Sequence, residues 1–223
     1  MSKHLERGLI ELREDLLQLF GIVEQMIDLA VRSLVERRPD FASRVIGTDK
    51  SVDKREVEIE EECLKLLALH QPVATDLREV ITAVKINSEI EQMADLACNI
   101  AERALALDHY PLFTVPEELN DMVHEAISMV RRALDAFITG DAKKAREVIR
   151  DDDVVDALNR IIIDQLQELM QESPEHIIPG VHCFSASRNI ERVADLATNL
   201  AEDTIYLIEG EIVRHKHGEM TGR

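Results

Sequence analysis

Apolar residues recur every three or four positions along nearly the whole chain, a spacing that predicts one amphipathic helix after another. Leu5, Leu9, Leu12, Leu16, Leu19, Val23, Met26, Ile27 and Ala30 form the first stripe. Pro39 suits the first turn of a second helix, which ends near His70, where Gln71-Pro72 breaks it. A third helix follows over residues 75–107. Residues 108–116, DHYPLFTVP, read as a linker, and the pattern then restarts. Thr114-x-x-Glu117, with Pro116 between, predicts a capping-box start to the fourth helix. Gly140-Asp141 divides the fourth from the fifth, and Ser173-Pro174-Glu175 opens the sixth, which Pro179-Gly180 is expected to kink or interrupt. The alternation of strands is missing. The expectation is an all-α protein of two tandem pseudo-repeated three-helix bundles, over residues 1–108 and 115–212, with a flexible tail at 213–223.

The two halves also repeat in detail. Residues 90–102, IEQMADLACNIAE, return at 190–202 as IERVADLATNLAE, and VIGTDKSVD at 45–53 returns as VIRDDDVVD at 148–156. The third-helix match has an offset of 100 and the second-helix match one of 103, which places a three-residue length change in the connection. Apolar spacing alone would repeat a helix. Recurrence of Glu91 as Glu191 and of Asp95 as Asp195 points to a repeated site.

Composition narrows the function. At 223 residues the chain can hold two units, each large enough to bury a core. A formal charge of −18 speaks against nucleic acid and against unaided docking on anionic lipid, and suits a cation or a basic partner. Cys63, Cys98 and Cys183 form no CxxC pattern, so neither a disulfide framework nor a thiolate zinc site is indicated. With no leader-like segment, this composition points to a reducing cytoplasm. No apolar run nears the ~18 residues of a membrane span.

The candidate chemistry lies in paired carboxylates. Residues four apart share a helix face, so Asp49/Asp53 and Glu91/Asp95 form acidic pairs on the second and third helices. The second repeat supplies Asp152/Asp156 and Glu191/Asp195. If the paired helices are antiparallel neighbours, each bundle brings four carboxylates together, and a cation relieves their repulsion. Oxygen donors suit Mg, Mn, Fe or Ca. Asn99, Glu102, Asn199 and Glu202 extend the stripes as weaker, outer ligands. At this acidic content, chance alone supplies about nine such pairs, and a single one is usually a solvated face. Only the recurrence in both repeats lifts the reading. No Glu precedes a His by three residues, which counts against a di-iron carboxylate oxidase. Arg188 and Arg192 lie beside the second stripe and can pair with it. His182, beside Cys183, reads as a buried or capping side chain rather than a soft-metal ligand.

Residues 71–104, QPVATDLREVITAVKINSEIEQMADLACNIAERA, resemble the first signature of the PhoU family of phosphate-uptake regulators, and 185–202, SASRNIERVADLATNLAE, its second. The likeness spans essentially the whole chain. It implies that the eight carboxylates named above hold multinuclear clusters of divalent or trivalent ions, with Fe, Mn, Mg, Zn and Ca as candidates. It also implies a cytoplasmic homodimer without enzymatic activity. Such a protein works with the ATPase of a phosphate ABC transporter and a sensor histidine kinase, holding the phosphate-starvation response off. The chain departs from the repeat at PEHIIPGVHCF, which replaces the QPVA-x-DLR stretch in the second half. Two rival classes are a carboxylate-bridged metalloenzyme and a metal-free helical adaptor.

Overall fold

A computed structural model describes residues 3–110 and 113–210, so the tail expected at 213–223 lies outside the described residues. Six α-helices carry the described chain: α1 (Lys3–Val35), α2 (Pro39–His70), α3 (Ala74–Leu107), α4 (Glu118–Thr139), α5 (Ala142–Glu172) and α6 (Ile177–Glu209). No strand occurs among the described residues. Helices α1–α3 pack on one another as one bundle and α4–α6 as a second. The predicted stripe of α1, from Leu5 to Ala30, is buried throughout.

The two bundles share one hydrophobic core, joined where α3 packs against α6. These two helices run antiparallel. Lys85 of α3 pairs with Asp203 of α6 at 3.1 Å, and Arg78 Nε donates to the carbonyl of Leu207 at 3.3 Å. At the opposite end Phe113 meets His176 edge to face, with ring centroids 5.9 Å apart. Arg37 adds a further tie. It holds a left-handed backbone (φ 55°) in the turn between α1 and α2, a conformation that glycine adopts more easily. Its guanidinium donates to the carbonyls of Leu107 and Phe113, both at 2.5 Å, and so fastens that turn to the segment between the repeats.

Helix boundaries follow local chemistry, with three departures from expectation. Pro39 sits in the first turn of α2, and Gly140 ends α4 at φ 66°. Asp141 caps α5, its carboxylate accepting from the amides of Lys143 and Lys144. The capping box at Thr114–Glu117 does not form. Glu117 is itself helical in conformation and α4 starts after it, with no side-chain cap. Ser173-Pro174-Glu175 opens a 3-10 turn (Pro174–His176) rather than α6 itself. Pro179-Gly180 leaves α6 unbroken. Pro179 lies in its first turn, where the missing N–H would have no intrahelical partner, and at Gly180 a Cβ would come within 2.8 Å of Met170 Cγ. This start also locates the three-residue offset. Glu91 lies 17 residues beyond the first residue of α3, and Glu191 lies 14 beyond the first of α6.

Candidate metal centre

Burial of one face of α2 against α3 brings the first set of carboxylates together. Glu91 and Asp95 come from α3, and Asp49, Asp53 and Glu56 from α2. Burial, then Asp95, Glu56, Asp53 and Asp49, raises the Glu91 carboxyl above its ordinary range. Asp95 is raised by burial, then by Asp49 and Asp53. Glu56 is raised by burial, then by Glu60 and Asp53. Each effect reports negative charges crowded where water is partly excluded. Asn87 sits at the base of the set, donating to the Glu56 carbonyl at 2.8 Å. The thiol of Cys98 donates to Asp49 Oδ1 at 3.4 Å and is pushed up to about 12, by burial first and then by Asp49.

Helices α5 and α6 repeat the arrangement. Asp152 is pushed up to about 6 by burial, then by Asp195, Asp156, Glu191 and Asp153. Asp195 and Glu191 are both raised, again by burial first. Here, however, cations intervene. Arg188 donates to Glu191 and pulls its carboxyl back down, and Arg188 and Arg192 both act on Asp195. Asn159, in the place of Glu56, is turned inward and accepts from the Ser187 hydroxyl at 3.1 Å.

The structure thus gathers all eight sequence-derived carboxylates into two groups of four. The outer candidates fare unevenly. Asn99 and Glu102 are exposed, with Glu102 3.6 Å from Arg103, whereas Asn199 is half-buried and Glu202 buried. Glu102 and Glu202 are therefore not equivalent in surroundings. Sequence reasoning missed Glu56 and Cys98. Both were within reach of it, since Glu56 continues the Asp49/Asp53 stripe at i+7 and Cys98 stands seven residues past Glu91. Cys63 and Cys183 are buried, and burial pushes both thiols up to about 12.

Among the described residues, no group of three or more His, Cys, Asp or Glu side chains stands close enough together to hold a metal ion as placed. The groups form open acidic faces instead, as unneutralised carboxylates should. Their chemistry fits hard or borderline cations: the donors are oxygens, with one thiol at the edge of the first face. On the second face, Glu191 Oε2 is buried without a hydrogen-bond partner. A bound cation would supply that partner and offset the repulsion. Among the described residues, no helix is long and apolar enough to cross a membrane.

Two docked three-helix bundles, each with an acidic face between its second and third helices, define a tandem-repeat helical protein with a doubled acidic face. Comparison with known proteins identifies the kind. A PhoU domain model matches residues 16–104 and again 119–204, so the chain belongs to the PhoU family. The phosphate-specific transport system accessory protein PhoU homolog of Aquifex aeolicus is 38% identical over 213 residues, covering 96% of each chain. The accessory protein PhoU of Serratia marcescens is 33% identical, covering 98% of this chain and 92% of its own. The crystal structure of PhoU from Pseudomonas aeruginosa matches with a TM-score of 0.86 at 33% identity, covering 92% of this chain and 99% of that one.

Proposed function

We propose that this protein is an accessory regulator of a phosphate-specific transport system, acting in the cytoplasm as a homodimer and carrying metal ions on its two acidic faces. The observation that carries the reading is the match of both repeats to the PhoU domain, joined to full-length relatives named as accessory proteins of phosphate transport. The two gathered sets of carboxylates support the metal reading.

On this reading Asp49, Asp53, Glu91 and Asp95 hold one set of ions, and Asp152, Asp156, Glu191 and Asp195 the other. Bound cations would neutralise the faces and tie α2 to α3 and α5 to α6. The protein's own residues supply rigid helix surfaces for recognition rather than a reaction. Contact with the transporter ATPase and with a sensor histidine kinase would be surface against surface, with charge setting orientation and association rate.

A clean deletion tests the regulatory reading. Phosphate-starvation genes should stay on in high phosphate, phosphate uptake should go unchecked, and the wild-type gene should restore both. Normal expression and normal uptake in the deletion strain, with no second PhoU-like protein present, would sink the reading. Metal analysis of the purified protein, with and without chelator, tests the metal reading separately.

A further inference from the structure

The two acidic faces occupy equivalent places on repeated helix pairs, yet they differ where charge is set. A shift of 103 residues carries Asp49, Asp53 and Glu56 onto Asp152, Asp156 and Asn159. A shift of 100 carries Ser88, Glu91, Gln92 and Asp95 onto Arg188, Glu191, Arg192 and Asp195. The second face therefore has Asn159 for Glu56 and Asp153 for Lys50, and it holds three guanidinium groups, Arg188, Arg192 and Arg160, where the first has neutral side chains; Arg160 lies 3.6 Å from Asp156.

The geometry makes those differences count. On the first face, Gln92 donates back to the Ser88 carbonyl at 3.3 Å and to its hydroxyl at 3.5 Å, and the charges pressing on Asp95 are the negative ones of Asp49 and Asp53. On the second, Arg188 is bonded to Glu191, the side chain whose other oxygen, Oε2, is buried and unpartnered. The Glu191 side chain is only 13% exposed and that of Arg188 is 47% exposed. The guanidinium can therefore swing into water, while Glu191 stays in place.

We propose that Arg188 is a resident competitor for the second centre: it holds Glu191 until a cation displaces it, so the first centre fills at lower metal concentration than the second. The inference rests on the metal reading above and concerns the order of filling. A metal ion entering the first face breaks no ion pair and meets five carboxylates. One entering the second must break the Arg188–Glu191 bond, meets Asp156 already paired with Arg160, and remains near the guanidinium groups, which raises its free energy.

The test is a calorimetric titration of the full-length protein, stripped by chelator, with Mn2+, alongside bound-metal counts after dialysis at fixed free Mn2+. Wild type should show a tight and a weak class. Arg188→Ser, which installs the residue of the first face, should tighten the weak class about tenfold, the effect expected of one close charge at a surface. It should leave the tight class unmoved. Arg188→Lys keeps the charge and should leave the weak class weak. Glu56→Asn should loosen only the tight class. Unchanged helical content by circular dichroism confirms that each variant folds. Mn2+ uptake with a single class in the wild type, and no response to Arg188→Ser, would overturn the inference and leave the metal reading standing. No uptake of Mn2+, Fe2+ or Zn2+ at any concentration would overturn both.

Discussion

Lys85 Nζ on α3 lies 3.1 Å from Asp203 Oδ1 on α6, and this ion pair crosses the seam between the two repeats. Asp203 is 2% exposed, whereas the Lys85 side chain is 39% exposed and sits 5.9 Å from the Tyr206 ring. The seam is therefore more than apolar packing. A buried carboxylate on one repeat is held by an amphipathic cation that reaches it from the other.

Breaking that pair from the lysine side should destabilise the whole protein. Replacing Lys85 by Met should cost about 1–2 kcal/mol, below the usual figure for a buried pair because water screens the lysine. Asp203→Asn should cost less, since it buries no charge. Urea unfolding curves check both, and an unchanged slope would show that the loss lies in the folded state. Equal stability of Lys85→Met and wild type would remove the pair from the account of how the repeats dock.

Neutralising one acidic face should halve the metal content and stabilise the metal-free protein. In the Glu91→Gln/Asp95→Asn double variant, the carboxylates of the second face remain. Bound metal should fall by about half, and in chelator the melting temperature should rise as repulsion is removed. Elemental analysis and calorimetry read the two effects, and unchanged metal stoichiometry would count against the ligand assignment.

The metal-free protein should become more stable as pH falls from 7 to 5. Asp152 is pushed up to about 6 in the folded state. Between the ordinary Asp value and that level, the folded chain holds a proton that the unfolded chain has released, so stability falls as pH rises through this window. The difference should be about 1 kcal/mol or less, since only about one pH unit of the window lies between 5 and 6 and solvent screens part of the effect. Added metal should abolish or reverse the trend, because it binds only the ionised carboxylates. Denaturation curves at pH 5 and 7, with chelator and with metal, check the sign.

Cys98 should react slowly with alkylating reagents, and Asp49 should be part of the reason. Its thiol is pushed up to about 12 by burial and by Asp49, which leaves little thiolate at pH 8. Asp49→Asn removes a negative charge and should speed iodoacetamide labelling several-fold, while burial keeps the rate below that of an open thiol. Mass spectrometry of the labelled peptide gives the rate, and an unchanged rate would place the control in burial alone.

At Gly8, space rather than backbone freedom sets the choice of residue. A Cβ there would stand 2.5 Å from Leu66 Cδ2, inside the core between α1 and α2. Gly8→Ala should therefore destabilise by about 1 kcal/mol, overpacking outweighing the gain in helix propensity. In a Leu66→Ala background the same change should become stabilising, and a double-mutant cycle would show that coupling.

Much of this protein follows from local pattern. Helix number, the two-bundle repeat and the pairing of Asp49 with Asp53 or Glu191 with Asp195 depend on helical period, and period is written into residue spacing. The boundaries were less legible. Thr114–Glu117 has the residues of a capping box without its geometry, and Pro179 proved harmless because a first-turn residue has no N–H bond to lose. The equivalence of the two faces also reads more fully in the sequence than it holds in space. Glu102 and Glu202 share a motif position, yet one is exposed and the other buried. What only the tertiary structure decided is which groups meet across helices. Glu56 joining Glu91, Cys98 reaching Asp49, Arg188 holding Glu191 and Lys85 finding Asp203 all depend on the contacts that packing selects. Spacing along one helix fixes a side chain's direction from its own axis. The rotation and register of the neighbouring helix, set by the fit of the whole core, determine what that side chain touches.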